Sequence, residues 1–223
     1  MTVTVRKPTR EDVPAIAALF GRAFDDYRRG LGLTADQLAA FWSFSLDARV
    51  EQTTVATLPD GTIAGFIVTV RPGAEERYGR RGTFRKRLQT MRRTLTASAF
   101  WRMPALFIPM GLAYAKRHAR KNELYVSLVA VDPALQGKGI GQALLAAAEE
   151  EARGAGASAI LLHTAASNAR ARAAYARAGY QLVSTVRAPW AGPAGIRAYV
   201  ALRKPLQRDL TPRLDTVPAL RPL

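Results

Sequence analysis

The chain of 223 residues contains no cysteine. This absence excludes a disulfide-stapled scaffold, a cysteine-ligated metal site and a cysteine nucleophile. The first twenty residues hold no apolar run of the length that a secretory signal requires, so we expect a cytoplasmic protein. A hydrophobic fraction of 48% is ordinary for a globular chain and excludes disorder throughout.

Acidic residues are scarce and unevenly spread. The chain has 33 Lys and Arg against 17 Asp and Glu, which gives a net charge of +16 and a pI near 11.1. Residues 77–122 hold 13 of the basic residues and no acid, so the remainder has 20 basic against 17 acidic residues. The uncharged run at 103–115 is too short to span a bilayer, which takes about 20 residues. The excess charge therefore belongs to one segment.

The residue patterns predict strands and helices that alternate along the second half of the chain. Two β-rich runs flank Pro59-Asp60-Gly61, and the Asp-Gly pair predicts a hairpin there. Thr9 precedes an amphipathic run and is predicted to be the N-cap of the first helix. Periodicity predicts strands at 53–58, 62–70, 124–131, 160–164, 183–187 and 198–202, and helices at 33–50, 141–153 and 169–178. We therefore expect an α/β (α+β) protein with a mixed sheet.

The same patterns divide the chain into three regions. Residues 1–204 are predicted to form a single domain, in which 72–122 is a basic and apolar insertion. Four prolines punctuate the remainder, at Pro205, Pro212, Pro218 and Pro222. Residues 205–223 are therefore expected to form an irregular tail.

A glycine-rich turn joins the strand that ends in Val129-Ala130-Val131 to an Ala/Leu-rich helix. The turn reads Gln136-Gly137-Lys138-Gly139-Ile140-Gly141. A helix N-terminus offers unpaired backbone N–H groups and a positive dipole end, and glycines let phosphates approach the backbone. An isolated Gly-x-Gly also occurs where glycines merely turn the chain. The spacing matches neither a nucleotide P-loop nor the Rossmann fingerprint.

This segment resembles the acetyl-CoA signature of the GNAT superfamily of N-acetyltransferases. The shared features are Gln136-x-x-Gly139-x-Gly141 after Val-Asp-Pro and, downstream, Asn168 with Tyr175-x-x-x-Gly179-Tyr180. The resemblance covers most of the chain except 72–122 and the tail. It implies a GNAT-like, mostly antiparallel central sheet flanked by helices, with the insertion between strands three and four.

The resemblance also implies a role for each matching residue, with acetyl-CoA as the co-substrate. Backbone groups of Val129, Ala130 and Val131 would bind the pantetheine arm, and Asn168 would hydrogen-bond it. Tyr175 would protonate the leaving CoA thiolate, which suits an ordinary tyrosine pKa near 10; core packing is the alternative role. The pyrophosphate would be held by Gln136, Gly137, Lys138, Gly139, Ile140 and Gly141.

Direct attack by an amine requires that something accept its proton. Strand alternation puts Glu123 on one face with Tyr125 and Ser127, which makes Glu123 a candidate base. Glu123 could equally offset the basic residues just before it. His163 ends an apolar strand run, where a histidine is more often structural. Asp25 and Asp26 could attract a cationic amine, or form a charge pair at a helix end.

The predicted function is acetyl-CoA-dependent acetyl transfer to the amine of a small molecule or peptide, without a metal. A second hypothesis treats the protein as a binding module for an anionic surface. In that case the basic segment 77–122 would contact membrane lipid or nucleic acid, and the acetyl-CoA site would be regulatory.

Overall fold

The computed structural model describes residues 2–73, 96–103, 122–187 and 195–206. One seven-stranded sheet has the order β1-β2-β3-β4-β5-β7-β6. Only β4 and β5 run parallel, and the other neighbouring pairs are antiparallel. This confirms the expected mixed, mostly antiparallel sheet. The strands are β1 (Thr4–Arg6), β2 (Thr53–Thr57), β3 (Ile63–Val70), β4 (Glu123–Val131), β5 (Ala159–Ala165), β6 (Gln181–Arg187) and β7 (Ala198–Pro205).

Helices cover both faces of the sheet. One hydrophobic cluster joins the sheet to α1 and α3, and a second joins its other face to α4 and α5. The predicted helix at 33–50 is α3, which is shorter, and α2 before it ends at Gly32 in the left-handed conformation (φ +66°). The helices whose bounds the structure describes in full are α1 (Val13–Ala23), α2 (Asp25–Leu31), α3 (Ala35–Asp47), α4 (Ile140–Gly154) and α5 (Ala169–Arg177), and residues 97–103 are also helical.

The predicted cap at Thr9 is present. Thr9 and Asp12 form a capping box around a 3-10 turn (Arg10–Asp12) that leads into α1. Both carboxylate oxygens of Asp12 also accept hydrogen bonds from Arg6 of β1, at 2.7 and 2.9 Å. The Arg6 guanidinium lowers the pKa of Asp12 to about 2. This pair ties the first strand to the first helix.

The parallel strands β4 and β5 separate partway along their length. They pair at four positions, from Glu123 opposite Ala159 to Val126 opposite Leu162. Beyond that point β4 stays paired with β3, and β5 stays paired with β7. On β4 the register against β3 skips Ser127, which is the extra residue of a β-bulge. The two strands therefore diverge beside the bulge. The space between β4 and β5 beyond Val126 and Leu162 is called the gap below.

Two regions predicted from sequence lie largely outside the described residues. The insertion predicted at 72–122 falls mostly outside the described residues, because the structure describes only 72–73, 96–103 and 122 of them. Strand β7 extends to Pro205, and Leu206 is buried, whereas 207–223 are not described. Among the described helices, none is long and apolar enough to cross a membrane. The described residues also hold no group of three side chains suited to a metal ion.

Candidate active site

The loop after β4 is anchored at its start by Asp132. Asp132, just past the strand, accepts a hydrogen bond from the Ala134 amide and caps the 3-10 turn (Pro133–Leu135). Its other carboxylate oxygen accepts a 2.7 Å bond from Arg22 of α1. These hydrogen bonds lower the pKa of Asp132 although its partial burial opposes ionisation. The glycine-rich turn thus starts from an anchored position.

Gly139 is the N-cap of α4, and its backbone requires glycine. It has φ +85°, in the left-handed region that side chains rarely adopt, and a Cβ added there would meet no atom within 4 Å. The first backbone amides of α4 have no acceptor inside the helix, and the dipole makes that end positive. Open space in front of such amides is suited to phosphate groups.

Two basic side chains flank this turn. Lys138, which the sequence assigned to the pyrophosphate site, is exposed within it. Arg170, near the start of α5, places Nη2 3.7 Å from where a Cβ on Gly137 would lie. Sequence reasoning did not single out Arg170, because only the packing of α5 beside the turn brings it there. The positive helix end therefore has at least one further cation beside it.

A second close approach sets the position of α4 against the sheet. A Cβ on Gly65 of β3 would lie 2.9 Å from the Ala130 carbonyl oxygen and 3.0 to 3.1 Å from the side chains of Leu144 and Ile140. Only glycine allows the first turn of α4 to lie so close to β3 and β4. This contact holds the N-terminus of α4 close to the part of β4 that borders the gap.

The gap exposes one backbone edge of β4. Val129, Ala130 and Val131 pair with β3 on their other edge, but β5 has already turned away. An extended ligand can hydrogen-bond to such an edge as an added strand does. Gln136 contributes by donating its side-chain amide to the Val131 carbonyl, at 3.3 Å, which joins the glycine-rich turn to the strand.

Asn168 and Tyr175 belong to α5, which follows β5. The Asn168 side-chain oxygen caps the helix by accepting the Ala171 amide at 3.0 Å. Tyr175 is 7% exposed and lies in the same cluster as Val126 and Leu162, the last pair before the gap. Its ring also packs against Tyr180, with centroids 5.9 Å apart. Tyr175 therefore contributes to the hydrophobic core on the side of the sheet covered by α4 and α5.

The structure does not bring Glu123 to the cofactor motif. Glu123 begins β4, so Val129 lies six residues, or about 20 Å, further along the strand. Its side chain is 1% exposed and forms an ion pair with Arg203 of β7. This arrangement fits the structural role that the sequence left open.

Asp25 and Asp26 form ion pairs within their own helix. Arg28 donates to Asp25 through Nε at 2.9 Å, and Arg29 contacts both carboxylates at 2.8 and 2.9 Å. All four side chains are well exposed. An amine ligand would have to compete with two arginines that are already in place.

A polar cluster beside the gap was not identified from the sequence as a site. The buried Arg49 donates to the Oγ of the bulge residue Ser127 at 2.7 Å. His163 is the first β5 residue past the last β4 pair, and its Nδ1 lies 3.3 Å from the Tyr125 hydroxyl. Tyr125 and His163 are 38 residues apart, so only the strand register brings them together.

Comparisons with known proteins agree with this fold. Similar solved structures include a protein described as histone acetyltransferase HPA2 and related acetyltransferase from Corynebacterium glutamicum, at TM-score 0.61 and 20% identity, covering 93% of this chain and 98% of that one. The ribosomal-protein-S18-alanine N-acetyltransferase from Escherichia coli matches at TM-score 0.54 and 18% identity, covering 92% and 95%.

A third structure, the PaiA N-acetyltransferase from Thermoplasma acidophilum in complex with coenzyme A, matches at TM-score 0.54 and 14% identity over 92% of this chain and 100% of that one. A search of curated proteins gave no significant match. The model of the Acetyltransferase (GNAT) family matches residues 23–180, well over half of the chain. The chain therefore belongs to the GNAT acetyltransferase family.

Proposed function

We propose that the protein transfers an acetyl group from acetyl-CoA to the amine of a small molecule or peptide. The observation that carries this proposal is the gap between β4 and β5, which ends at the glycine-rich N-terminus of α4. An exposed strand edge and a positive helix end, in that order, suit a long ligand with an amide-containing arm and a pyrophosphate.

Bound acetyl-CoA would supply a thioester carbonyl that an amine can attack. In this proposal the amides of Gln136–Gly141 hold the pyrophosphate, with Lys138 and Arg170 adding positive charge. Val129 and Val131 bind the pantetheine arm through their backbone. The Asn168 side-chain oxygen is used by the helix cap, so its NH₂ group is the donor for a carbonyl of that arm.

We assign Tyr175 as the general acid that protonates the CoA thiolate. A tyrosine hydroxyl can donate its proton to the thiolate, as this step requires. The position of Tyr175 in the helix that follows β5, in a cluster that includes Val126 and Leu162, supports the assignment. Packing against Tyr180 holds the ring in one orientation.

For the proton acceptor we favour His163 over Glu123. His163 is half-buried at the edge of the gap, whereas Glu123 is buried in an ion pair about 20 Å from Val129. A neutral imidazole can accept a proton from an amine as the amine attacks the thioester. The Tyr125 hydroxyl contacts Nδ1 and orients the ring.

The direct test is acetyl-CoA-dependent thiol release with the full chain. The panel should include polyamines, aminoglycosides, aminonucleosides and peptides with free N-termini, each with an amine-free control for simple hydrolysis. Release that depends on an amine supports the proposal and identifies the acceptor class. Acetyl-CoA binding without amine-dependent release from any member would favour the regulatory role.

Cofactor binding is tested by a matched pair of glycine variants. Gly139→Glu would place bulk and negative charge where the pyrophosphate is expected, so calorimetry should show no acetyl-CoA binding. Gly156, just after the C-terminal end of α4, has φ +66° and equally open surroundings, so Gly156→Glu carries similar backbone strain. Gly156→Glu should bind normally, and equal loss in both variants would refute the assignment of the turn.

A further inference from the structure

Arg49 is a buried cation that the proposed chemistry does not use. The residue is 1% exposed, and its side chain is one of the largest that are fully buried. Burying a guanidinium costs more than burying an apolar side chain of similar length, so an arginine in the core indicates a role for its charge or its hydrogen bonds. Its Nη2 donates to the Oγ of Ser127 at 2.7 Å, which identifies the part of the sheet that it serves.

The backbone of Arg49 is held in place by hydrogen bonds on both sides. Arg49 lies two residues after α3, and its amide donates to the Leu46 carbonyl at 3.1 Å. Its own carbonyl accepts the Gln52 amide at 2.9 Å and the Thr53 hydroxyl at 2.8 Å. The next residue, Val50, packs against the cluster formed by α1 and α3. The guanidinium therefore reaches β4 from a fixed starting point.

Ser127 is the extra residue of the β-bulge in β4. Val126 pairs with Thr69 of β3, and the next pair is Leu128 with Val68, so the register skips Ser127. A bulge bends its strand and increases the local twist. Past Val126, β4 no longer pairs with β5. A hydrogen bond that holds Ser127 in its bulged position therefore favours the bend that separates the two strands.

The neighbouring strand β3 is held at the same level by α4. Thr69, opposite the bulge, donates its hydroxyl to Glu151 of α4 at 2.8 Å. Arg71, just past the end of β3, donates Nε to the other carboxylate oxygen of Glu151 at 2.8 Å. Because α4 fixes β3 there, a change in the position of Ser127 is expected to alter the path of β4 rather than that of β3.

We propose that Arg49 is a positioning residue for acetyl-CoA binding. Its hydrogen bond to Ser127 keeps β4 bent, and the bend presents the backbone of Val129 and Val131 to the pantetheine arm. The inference rests on the proposed function, because it concerns how the cofactor is held. Since Arg49 is buried, it acts through the strand and not by contact with the ligand. If fewer molecules have the bent strand, the apparent acetyl-CoA affinity falls by the same fraction.

The experiment is a double-mutant cycle in the full chain, measured by calorimetry with acetyl-CoA. Arg49→Met removes the charge at similar side-chain length, and Ser127→Ala removes the acceptor. Each variant should bind acetyl-CoA about tenfold more weakly, the loss expected for a hydrogen bond to a charged group. The double variant should also lose about tenfold, because both changes remove the same bond. A loss of about 100-fold in the double variant would show that the two residues act independently and would overturn the proposal.

Two further serine variants separate this role from a general loss of stability. Ser127→Thr keeps the hydroxyl, so it should bind acetyl-CoA as the unaltered protein does. Ser43 of α3 is the matched control, because it is half-buried like Ser127 and its Oγ donates at 2.8 Å to the Ala40 carbonyl in its own helix. Ser43→Ala should therefore leave acetyl-CoA affinity unchanged. Equal weakening in Ser43→Ala and Ser127→Ala would overturn the proposal.

Amide hydrogen exchange in the absence of ligand reports on the strand itself. Residues 124–131 should exchange faster in Arg49→Met and Ser127→Ala, but not in Ser43→Ala. Normal affinity in both single variants would overturn the role of Arg49, while acetyl-CoA binding by the unaltered protein would still support the proposed function. If the unaltered protein bound no acetyl-CoA, the proposed function and this inference would fail together.

Discussion

Removing one oxygen atom tests the acid proposed for the leaving thiolate. Tyr175→Phe keeps the ring that packs in the cluster with Val126 and Leu162, so folding should be little affected. We expect kcat to fall by about 100-fold, the lower end of what a general acid contributes, with unchanged acetyl-CoA affinity by calorimetry. Tyr180→Phe removes the hydroxyl of the buried neighbour and should leave kcat almost unchanged. Similar turnover in the two variants would remove Tyr175 from the acid role.

The proton acceptor is tested by the pH dependence of kcat/KM. If neutral His163 takes the proton, the rate rises with pH as the imidazole loses its own proton. His163→Asn should lower kcat/KM at least about tenfold and abolish that rise. Tyr125→Phe should keep the rise and shift its midpoint, because the hydroxyl contacts Nδ1. An unaltered pH profile in His163→Asn would exclude this histidine as the base.

The residues proposed to hold acetyl-CoA could be predicted from the sequence, whereas the pairing of His163 with Tyr125 could not. The glycine-rich turn, Asn168 and Tyr175 sit in short patterns, so their residue types and spacing are visible without a fold. The pairing of His163 with Tyr125 depends on the parallel register of β4 and β5 and on where that pairing stops. No local pattern reports a register between strands 38 residues apart, so alternation alone pointed to Glu123.

Strand β7 carries two successive basic residues that hold carboxylates from different elements. Arg203 pairs with Glu123 of β4, and Lys204 pairs with Glu149 of α4. Glu123→Gln leaves the partly buried guanidinium of Arg203 without its counter-charge, so urea unfolding should show a loss of about 2 kcal/mol. Glu149→Gln, at a more exposed pair, should cost less than about 1 kcal/mol.

The same two variants also distinguish an effect on stability from an effect on catalysis. At a temperature where both remain folded, Glu123→Gln and Glu149→Gln should have kcat close to that of the unaltered protein. A drop of about 100-fold for Glu123→Gln with unchanged unfolding free energy would restore Glu123 as the catalytic base. The ion pair between Glu123 and Arg203 could not be predicted from the sequence, because the two residues are 80 positions apart in the chain.

At the level of elements, two departures from the predictions have a backbone cause. Strand and helix periods predicted strands β2 to β7 and helices α4 and α5 to within a few residues, whereas the helical residues 97–103 were not predicted. The separation of α2 from α3 depends on one left-handed residue, Gly32. The bulge at Ser127 leaves no mark in the alternation of β4, since both flanking runs are apolar. That bulge nevertheless lies where the gap begins.

For the molecule as a whole, the distribution of charge matters more than its sum. A net charge of +16 would suit a nucleic-acid-binding protein, but residues outside 77–122 carry only +3. The sheet, the glycine-rich turn and the described catalytic candidates all lie in that nearly neutral remainder. The proposed chemistry is therefore expected to respond little to conditions that act on the charge of the basic segment.

Salt provides the test of this separation. The Debye length falls from about 10 Å at 0.1 M to about 3 Å at 1 M, so a cluster of exposed positive charges loses most of its long-range attraction. When NaCl is raised from about 0.1 to about 0.5 M, turnover at saturating acetyl-CoA should change less than about twofold, because backbone amides and a partly buried cluster carry the proposed chemistry. A loss of turnover of more than about tenfold over the same range would show that the basic segment belongs to the catalytic site.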